Sequence, residues 1–154
     1  MKPLIKHFFN WLALVVVFPF YLFYRIINIL LRNQDSLFWA CSQLFSLLPG
    51  KPGNIIRKAF YRLTMAYCSQ ETAICFGTIF SQQDTEVGKG VYIGPNCNIG
   101  KCKIENNCIL GSNVHIMSGK NQHVFEDVDT PIQEQGGKFE KVNIGEDTWI
   151  GNCS

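Results

Sequence analysis

The sequence predicts a β-solenoid preceded by α-helical, membrane-associated segments, on three observations. From Val87 to Ile116 an aliphatic residue recurs at nearly every sixth position, at Val87, Ile93, Ile99, Ile104, Leu110 and Ile116, and the pattern resumes at Ile144 and Ile150. Helices repeat at about 3.6 residues and half-buried strands at about 2, so a sustained period of six describes short strands joined by tight turns in a stacked coil. Glycine follows most of these positions, at Gly88, Gly94, Gly100, Gly111, Gly145 and Gly151, where a corner is expected to need permissive backbone angles. Lastly, charge divides the chain. Through Tyr67 it carries eight basic residues and one acid, net +7, and beyond it six basic and eleven acidic residues, net −5.

This division sets two regions, 1–70 helical and membrane-associated, and 71–154 the coil. In the first, Phe8 to Tyr24 is almost wholly apolar, interrupted by Asn10 and Pro19 and followed by Arg25. Seventeen residues at 1.5 Å each reach about 26 Å, a little short of a hydrocarbon core of about 30 Å. No small-x-small cleavage site follows, which argues against a signal peptide. Lys2 and Lys6 disfavour a single span that would place them outside, so the expectation is a helical hairpin bent at Pro19 with both ends on one side. A second apolar segment, Leu37 to Leu48, ends in Pro49-Gly50-Lys51-Pro52-Gly53, read as a sharp turn. Asn54 is then expected to cap a helix with Ile55, Ile56, Ala59, Phe60, Leu63 and Tyr67 on one face and Arg57, Lys58 and Arg62 on the other. Such a helix either lies at a membrane interface or covers the open first turn of the coil. Basic residues scattered among apolar runs favour an anionic membrane surface over nucleic acid.

In the coil, the position four residues after each aliphatic one holds Val91, Cys97, Cys108, Val114 or Thr148, compact enough for a narrow interior. The five-residue step from Ile99 to Ile104 predicts one shortened corner, and upstream the repeat blurs through Phe80 and Ile74. There are seven cysteines and no CxxC pair, so a metal ribbon and a disulfide framework are both disfavoured and a packing role for Cys97 and Cys108 is expected.

V-G-K-G-V-Y-I-G-P-N-C-N-I-G, and N-I-G-E-D-T-W-I-G after a break, resemble the left-handed β-helix hexapeptide acyltransferases, closest in character to the membrane-associated group encoded with polysaccharide assembly enzymes. The resemblance implies a left-handed parallel β-helix, a homotrimer, and acyl transfer from acetyl-CoA or another acyl-CoA, without metal, to a saccharide hydroxyl. Acyl-CoA being cytosolic, the catalytic region is expected on the cytosolic face of the cytoplasmic membrane. Members of that family continue for several more hexads, so the chain reads as C-terminally truncated at Ser154, with no measurable turnover expected of residues 1–154 alone. An inactive, membrane-anchored assembly subunit is the alternative.

The active-site expectation falls on the break, residues 117–141. Long loops without periodicity in compact domains tend to carry function, and this one holds His123 among Glu126, Asp127 and Asp129. A hydroxyl hardly ionises at neutral pH, so its attack on a thioester needs a base of the imidazole kind, near 6.5 in water. By resemblance His123, in S-G-K-N-Q-H, is that base, with His115 the competitor. One of the three acids is a candidate to orient the ring. Trp149 of the W-I-G motif either borders the active site, as in the resembled galactoside enzymes, or packs under the loop. A zinc hydratase on the same coil would need three histidine ligands, and outside the apolar segment only His115 and His123 are present.

Overall fold

A computed structural model describes residues 3–31 and 34–154. Lys2 and Arg32, two of the basic residues weighed above, lie outside the described residues. Three helices, α1 (Pro3–Leu31), α2 (Gln34–Ser46) and α3 (Gly50–Thr64), precede eleven short strands. Successive strands join successive sheets, and every third strand returns to the same one. The first sheet stacks β1 (Tyr67–Cys68), β4 (Glu86–Val87), β7 (Cys102–Ile104) and β10 (Val142–Ile144). The second stacks β2 (Ala73–Ile74), β5 (Tyr92–Ile93), β8 (Ile109–Leu110) and β11 (Trp149–Ile150), and the third β3 (Ile79–Phe80), β6 (Asn98–Ile99) and β9 (His115–Ile116). All described pairings are parallel.

The register follows from the repeat. In each two-residue strand the second residue points into the coil, and in β7 both Cys102 and Ile104 do, so the interior is three aliphatic ladders, such as Ile74–Ile93–Leu110 and Phe80–Ile99–Ile116. Upstream the pattern is regular, running back through Phe80 and Ile74 to Cys68 in β1. The compact position is also interior, with Val91, Cys97, Cys108 and Val114 all buried. Burial pushes the Cys102 thiol up to about 12, so it packs as an apolar group. The short corner falls as expected between β6 and β7. Ile99→Ala, opening a void between Phe80 and Ile116, is expected to cost about 2–5 kcal/mol in urea unfolding, whereas Tyr92→Ala on the outer face should cost under about 1 kcal/mol.

The glycines work differently from expectation. Positive φ falls two residues later, at Asn96 (58°), Asn113 (55°) and Asp147 (58°), and at Asn107 (59°) where Glu105 stands in the glycine's place, polar residues that tolerate the left-handed region. The glycine itself is required by the next turn of the coil: a Cβ on Gly94 would lie 2.5 Å from the Gly111 carbonyl oxygen, and one on Gly100 2.8 Å from that of Ile116. Stacking distance, not backbone angle, excludes a side chain there.

The helices close the coil's first turn, whose outer backbone groups would otherwise be an unpaired edge. Phe80 N donates to Ser42 Oγ (2.8 Å), Gln83 N to Asp35 Oδ1 (2.9 Å) and Gly77 N to the Ser46 carbonyl (2.9 Å). Arg57 is fully buried, and its guanidinium donates to the carbonyls of Phe45, Ser46, Leu48 and Ile74 at 2.9–3.2 Å. It therefore satisfies the last carbonyls of α2 and the coil's open edge together. The expectation of an interfacial helix with Arg57 and Lys58 outward is corrected, since both are buried and α3 is a cap on the coil. Asn54 does not cap α3 either. The helix begins at Gly50 after Pro49, and Asn54 Nδ2 donates to the Ile74 carbonyl (3.0 Å).

The hairpin reversal expected at Pro19 does not occur there. α1 runs through Pro19 as one 29-residue helix, and the chain reverses only after Leu31. Packing makes up for the lost backbone bond, because the neighbouring Phe20 contacts Phe45 and Phe60 (ring centroids 5.0 and 6.2 Å). Within α1, His7–Leu30 is long and apolar enough to cross a membrane by length and composition.

Candidate functional site

The site is built where the coil is interrupted. After β9 the chain leaves the third sheet and returns as β10, and the intervening segment is a folded excursion with one 3-10 turn, Ile132–Glu134. Its two legs are tied by Glu140 N to the Ser118 carbonyl (2.8 Å), Lys138 N to that of Asn121 (2.7 Å) and Val124 N to that of Gly136 (3.1 Å). Gly137 is needed at the crossing, since a Cβ there would collide with the Gln122 backbone beside His123.

The returning leg is anchored to the coil. Lys141 Nζ donates to Asp84 Oδ1 (2.7 Å) and Glu86 Oε1 (2.8 Å), and Lys101 pairs with Asp84 at 3.1 Å. The hydrogen bond from Lys141 holds the Asp84 carboxyl below the usual carboxylate range. A depressed carboxylate stabilises the fold above its unfolded value, near 3.9, and that contribution is lost as pH falls through the folded value. Asp84 is 55% exposed, so the loss is expected to be under about 1 kcal/mol and confined to the loop's return. Amide exchange at Lys141 and Val142 should rise below about pH 4 while that of Ile93 and Ile99 does not.

His123 and His115 line one cavity of about 280 Å³, with Ser81, Asn98 and Gln122 around them and Trp39 of α2 at its wall. The volume is at the lower end of small-molecule sites, which run about 300–1,000 Å³. The coil contributes His115, Asn98 and Ser81 from the third sheet, and the loop contributes His123. Polar groups (Ser81, Asn98, Ser118, Gln122) and apolar ones (Trp39, Ile116, Met117) line it together, and the exposed His123 ring is within reach of an incoming hydroxyl. Of the expected residues, the structure brings together the two histidines. Glu126, Asp127 and Asp129 do not line this cavity. The Asp127 carboxylate is engaged inside the loop, accepting from Asp129 N (3.0 Å) and Thr130 Oγ1 (2.7 Å), and the Thr130 hydroxyl lowers its pKa. Trp149 is 78% exposed on the second sheet, another side of the coil, and does not pack under the loop.

A larger cavity of about 630 Å³ lies between α1, α3 and the first turn, lined by residues including Asn10, Lys51, Arg57 and Tyr92. It holds no imidazole, and its carboxylate, Glu71, pairs with Lys89 at 3.5 Å, so the smaller cavity with its two histidines is the catalytic candidate. Trp39, Ser81 and Asn98 were not expected from the sequence. Ser81 and Asn98 are ordinary outward-facing hexad residues, and only the docking of α2 on the third sheet brings Trp39 to them.

Residues 84–118, from the anchor carboxylate Asp84 through β9, match the family described as bacterial transferase hexapeptide (six repeats). No curated protein and no solved structure matches the chain. The match ends at Ser118, just where the loop that carries His123 departs from the coil.

Proposed function

Taking the hexapeptide repeat of bacterial transferases as the premise, we propose that this chain transfers an acetyl or other acyl group from acyl-CoA to a saccharide hydroxyl in cell-envelope or exopolysaccharide biosynthesis. The reading makes the coil a left-handed parallel β-helix that works as a homotrimer on the cytosolic face of the cytoplasmic membrane. One observation carries it: a coil whose residues 84–118 match a transferase hexapeptide repeat is interrupted after β9, and the interruption holds an imidazole, His123, over an open cavity of mixed polar and apolar lining on the coil wall.

A lone pair of the His123 ring accepts the acceptor hydroxyl's proton as its oxygen attacks the thioester carbonyl. The carbonyl oxygen carries the negative charge of the tetrahedral intermediate, which backbone N–H groups stabilise. The C–S bond then breaks, and the imidazolium returns its proton to the departing thiolate. Atoms and charge balance with no covalent enzyme intermediate. Trp149 and His123 stand on different sides of one coil, so if Trp149 borders the active site, as the resemblance implies, that site forms where two copies of the proposed trimer meet. Membrane contact is supported by the outer face of α1, where Phe8, Ile26 and Leu30 are 58%, 59% and 74% exposed.

The test incubates the full chain in its native membranes with acetyl-CoA and saccharide acceptors and follows free CoA by chromatography, because seven cysteines would confound a thiol reagent. CoA release that depends on the acceptor is expected. Acetyl-CoA left intact with every hydroxyl acceptor would overturn the reading and leave a non-enzymatic assembly subunit.

A further inference from the structure

We infer that α1 lies in the plane of one membrane leaflet, docking the coil end-on to an anionic lipid surface, and does not cross the bilayer. The inference rests on the membrane contact proposed above and adds its geometry. Length and composition alone would make His7–Leu30 a span. Its contacts say otherwise, because both ends of α1 reach the same first turn of the coil. Near the start, His7 Nδ1 and Gln70 Nε2 are 3.2 Å apart. Near the end, Arg25, Asn28 and Ile29 share a small cavity with Gln83, and Arg25 also faces Asp35 and Asp84 across a neighbouring one. Gln70 follows β1, while the Gln83 carbonyl accepts from Ala66 N just before β1, so the two glutamines mark opposite ends of one edge of the turn. A helix held at both ends of that edge lies across the winding axis. Its middle rests on the other two helices, through Phe20 on Phe45 and Tyr24 on Phe60.

The two faces of α1 differ accordingly. Asn10, Ala13, Val17, Tyr24 and Asn28 are buried toward the protein, at helical spacing. The opposite stripe is apolar throughout and exposed along the whole helix, with Phe8, Leu12, Val15, Ile26 and Leu30 between 39% and 74%. Standing α1 upright across a bilayer would carry Gln70, Gln83, Asp84 and the edge of the coil into hydrocarbon, where backbone groups and charges are costly. Lying flat, the helix buries its apolar stripe about 5–10 Å into the headgroup and acyl boundary while those groups stay in water. A lipid leaflet fits this face better than a second protein copy because, with Arg57 and Lys58 buried, the described part of the helical half still exposes Arg25 and Lys51 and half-exposes Arg62 against the one acid Asp35, a balance that attracts an anionic surface and repels its own kind.

The orientation also sets the height of the site. β9 is two strand spacings from β3, about 10 Å down the coil. Two helix layers of about 10 Å each lie above. The His115 and His123 cavity would then stand about 30 Å from the leaflet, with Trp39 of α2 on the path, a reach suited to a saccharide carried on a lipid.

Depth measurement tests this directly. Phe8, Val15 and Ile26 fall on one stripe, and the outer two are separated by about 27 Å along the helix. Phe8→Trp, Val15→Trp and Ile26→Trp are each made in a chain carrying Trp11→Phe, Trp39→Phe and Trp149→Phe, bound to vesicles of zwitterionic and anionic phospholipid brominated near the headgroup or near the acyl terminus. The expected result is equal quenching at all three positions, stronger by the shallow bromine, and an N-terminal tag cleaved only by protease on the side of addition. Quenching that shifts to the deep bromine at Val15, with the tag protected, would overturn the inference and leave membrane association standing. Failure of the wild-type chain to float with the vesicles would overturn the membrane reading itself, and self-association through this face without lipid would replace the leaflet by a second copy.

Discussion

His123→Ala is expected to lower acyl transfer by about two to four orders of magnitude while leaving the coil folded, because the side chain is exposed, sits in the loop and touches no interior ladder. The loss should fall on turnover, with acyl-CoA affinity little changed, as for a group that acts on the acceptor's proton in the transition state. His115→Ala lines the same cavity from the rigid third sheet and is expected to cost far less. Steady-state rates for the two variants, with circular dichroism to confirm the fold, separate the roles. Equal losses, or a loss confined to His115→Ala, would move the base from the loop to the coil.

The largest expected effect on stability is at Arg57. Arg57→Met keeps most of the volume but removes the charged donor to the carbonyls of Phe45, Ser46, Leu48 and Ile74; Phe45, Ser46 and Ile74 each keep a second donor in Leu48 N, Gly77 N and Asn54 Nδ2, and the Leu48 carbonyl loses the donor it has in Arg57. A hydrogen bond to a charged group contributes about 1.5–3 kcal/mol and a buried carbonyl left unpaired costs about 1–3 kcal/mol, so the total loss should be about 3 kcal/mol or more, read as a shift in the urea midpoint. Arg57→Lys should recover only part, since one ammonium cannot reach carbonyls on α2 and β2 together. Burial alone holds the guanidinium below its ordinary value, but the hydrogen-bonded carbonyls favour the charged form. A loss under about 1 kcal/mol for Arg57→Met would mean that the three helices and the coil are not one cooperative unit.

The parts of the fold written in local periodicity were legible in the sequence. The six-residue step places every interior ladder, and the five-residue step from Ile99 to Ile104 marks the shortened corner, because in a coil each strand's register depends only on its own count of residues. What depends on approach between distant segments was not legible. The glycines were assigned to backbone angle, whereas Gly94 is needed because the Gly111 carbonyl of the next turn lies where a side chain would be. Arg57 reads as a surface cation by helical spacing, and only the ends of α2 and of the first turn, brought together in space, make it a buried donor to both. Pro19 signals a break that tertiary packing overrides. At the site, the loop and its histidine were legible from the interruption of the repeat. The loop's acids were read as candidates on sequence nearness, yet Asp127 serves its own turn, and Trp39 enters from a helix some eighty residues upstream of His123.

The central claim is that the imidazole of His123 takes the acceptor's proton, and chemical rescue tests it most directly. In His123→Gly the side chain's space is left open, and added imidazole should restore part of the acceptor-dependent CoA release in a saturable manner. The same imidazole should do nothing for His115→Ala. Full activity in His123→Gly, or loss of activity together with loss of acyl-CoA binding and no rescue at any imidazole concentration, would contradict the account.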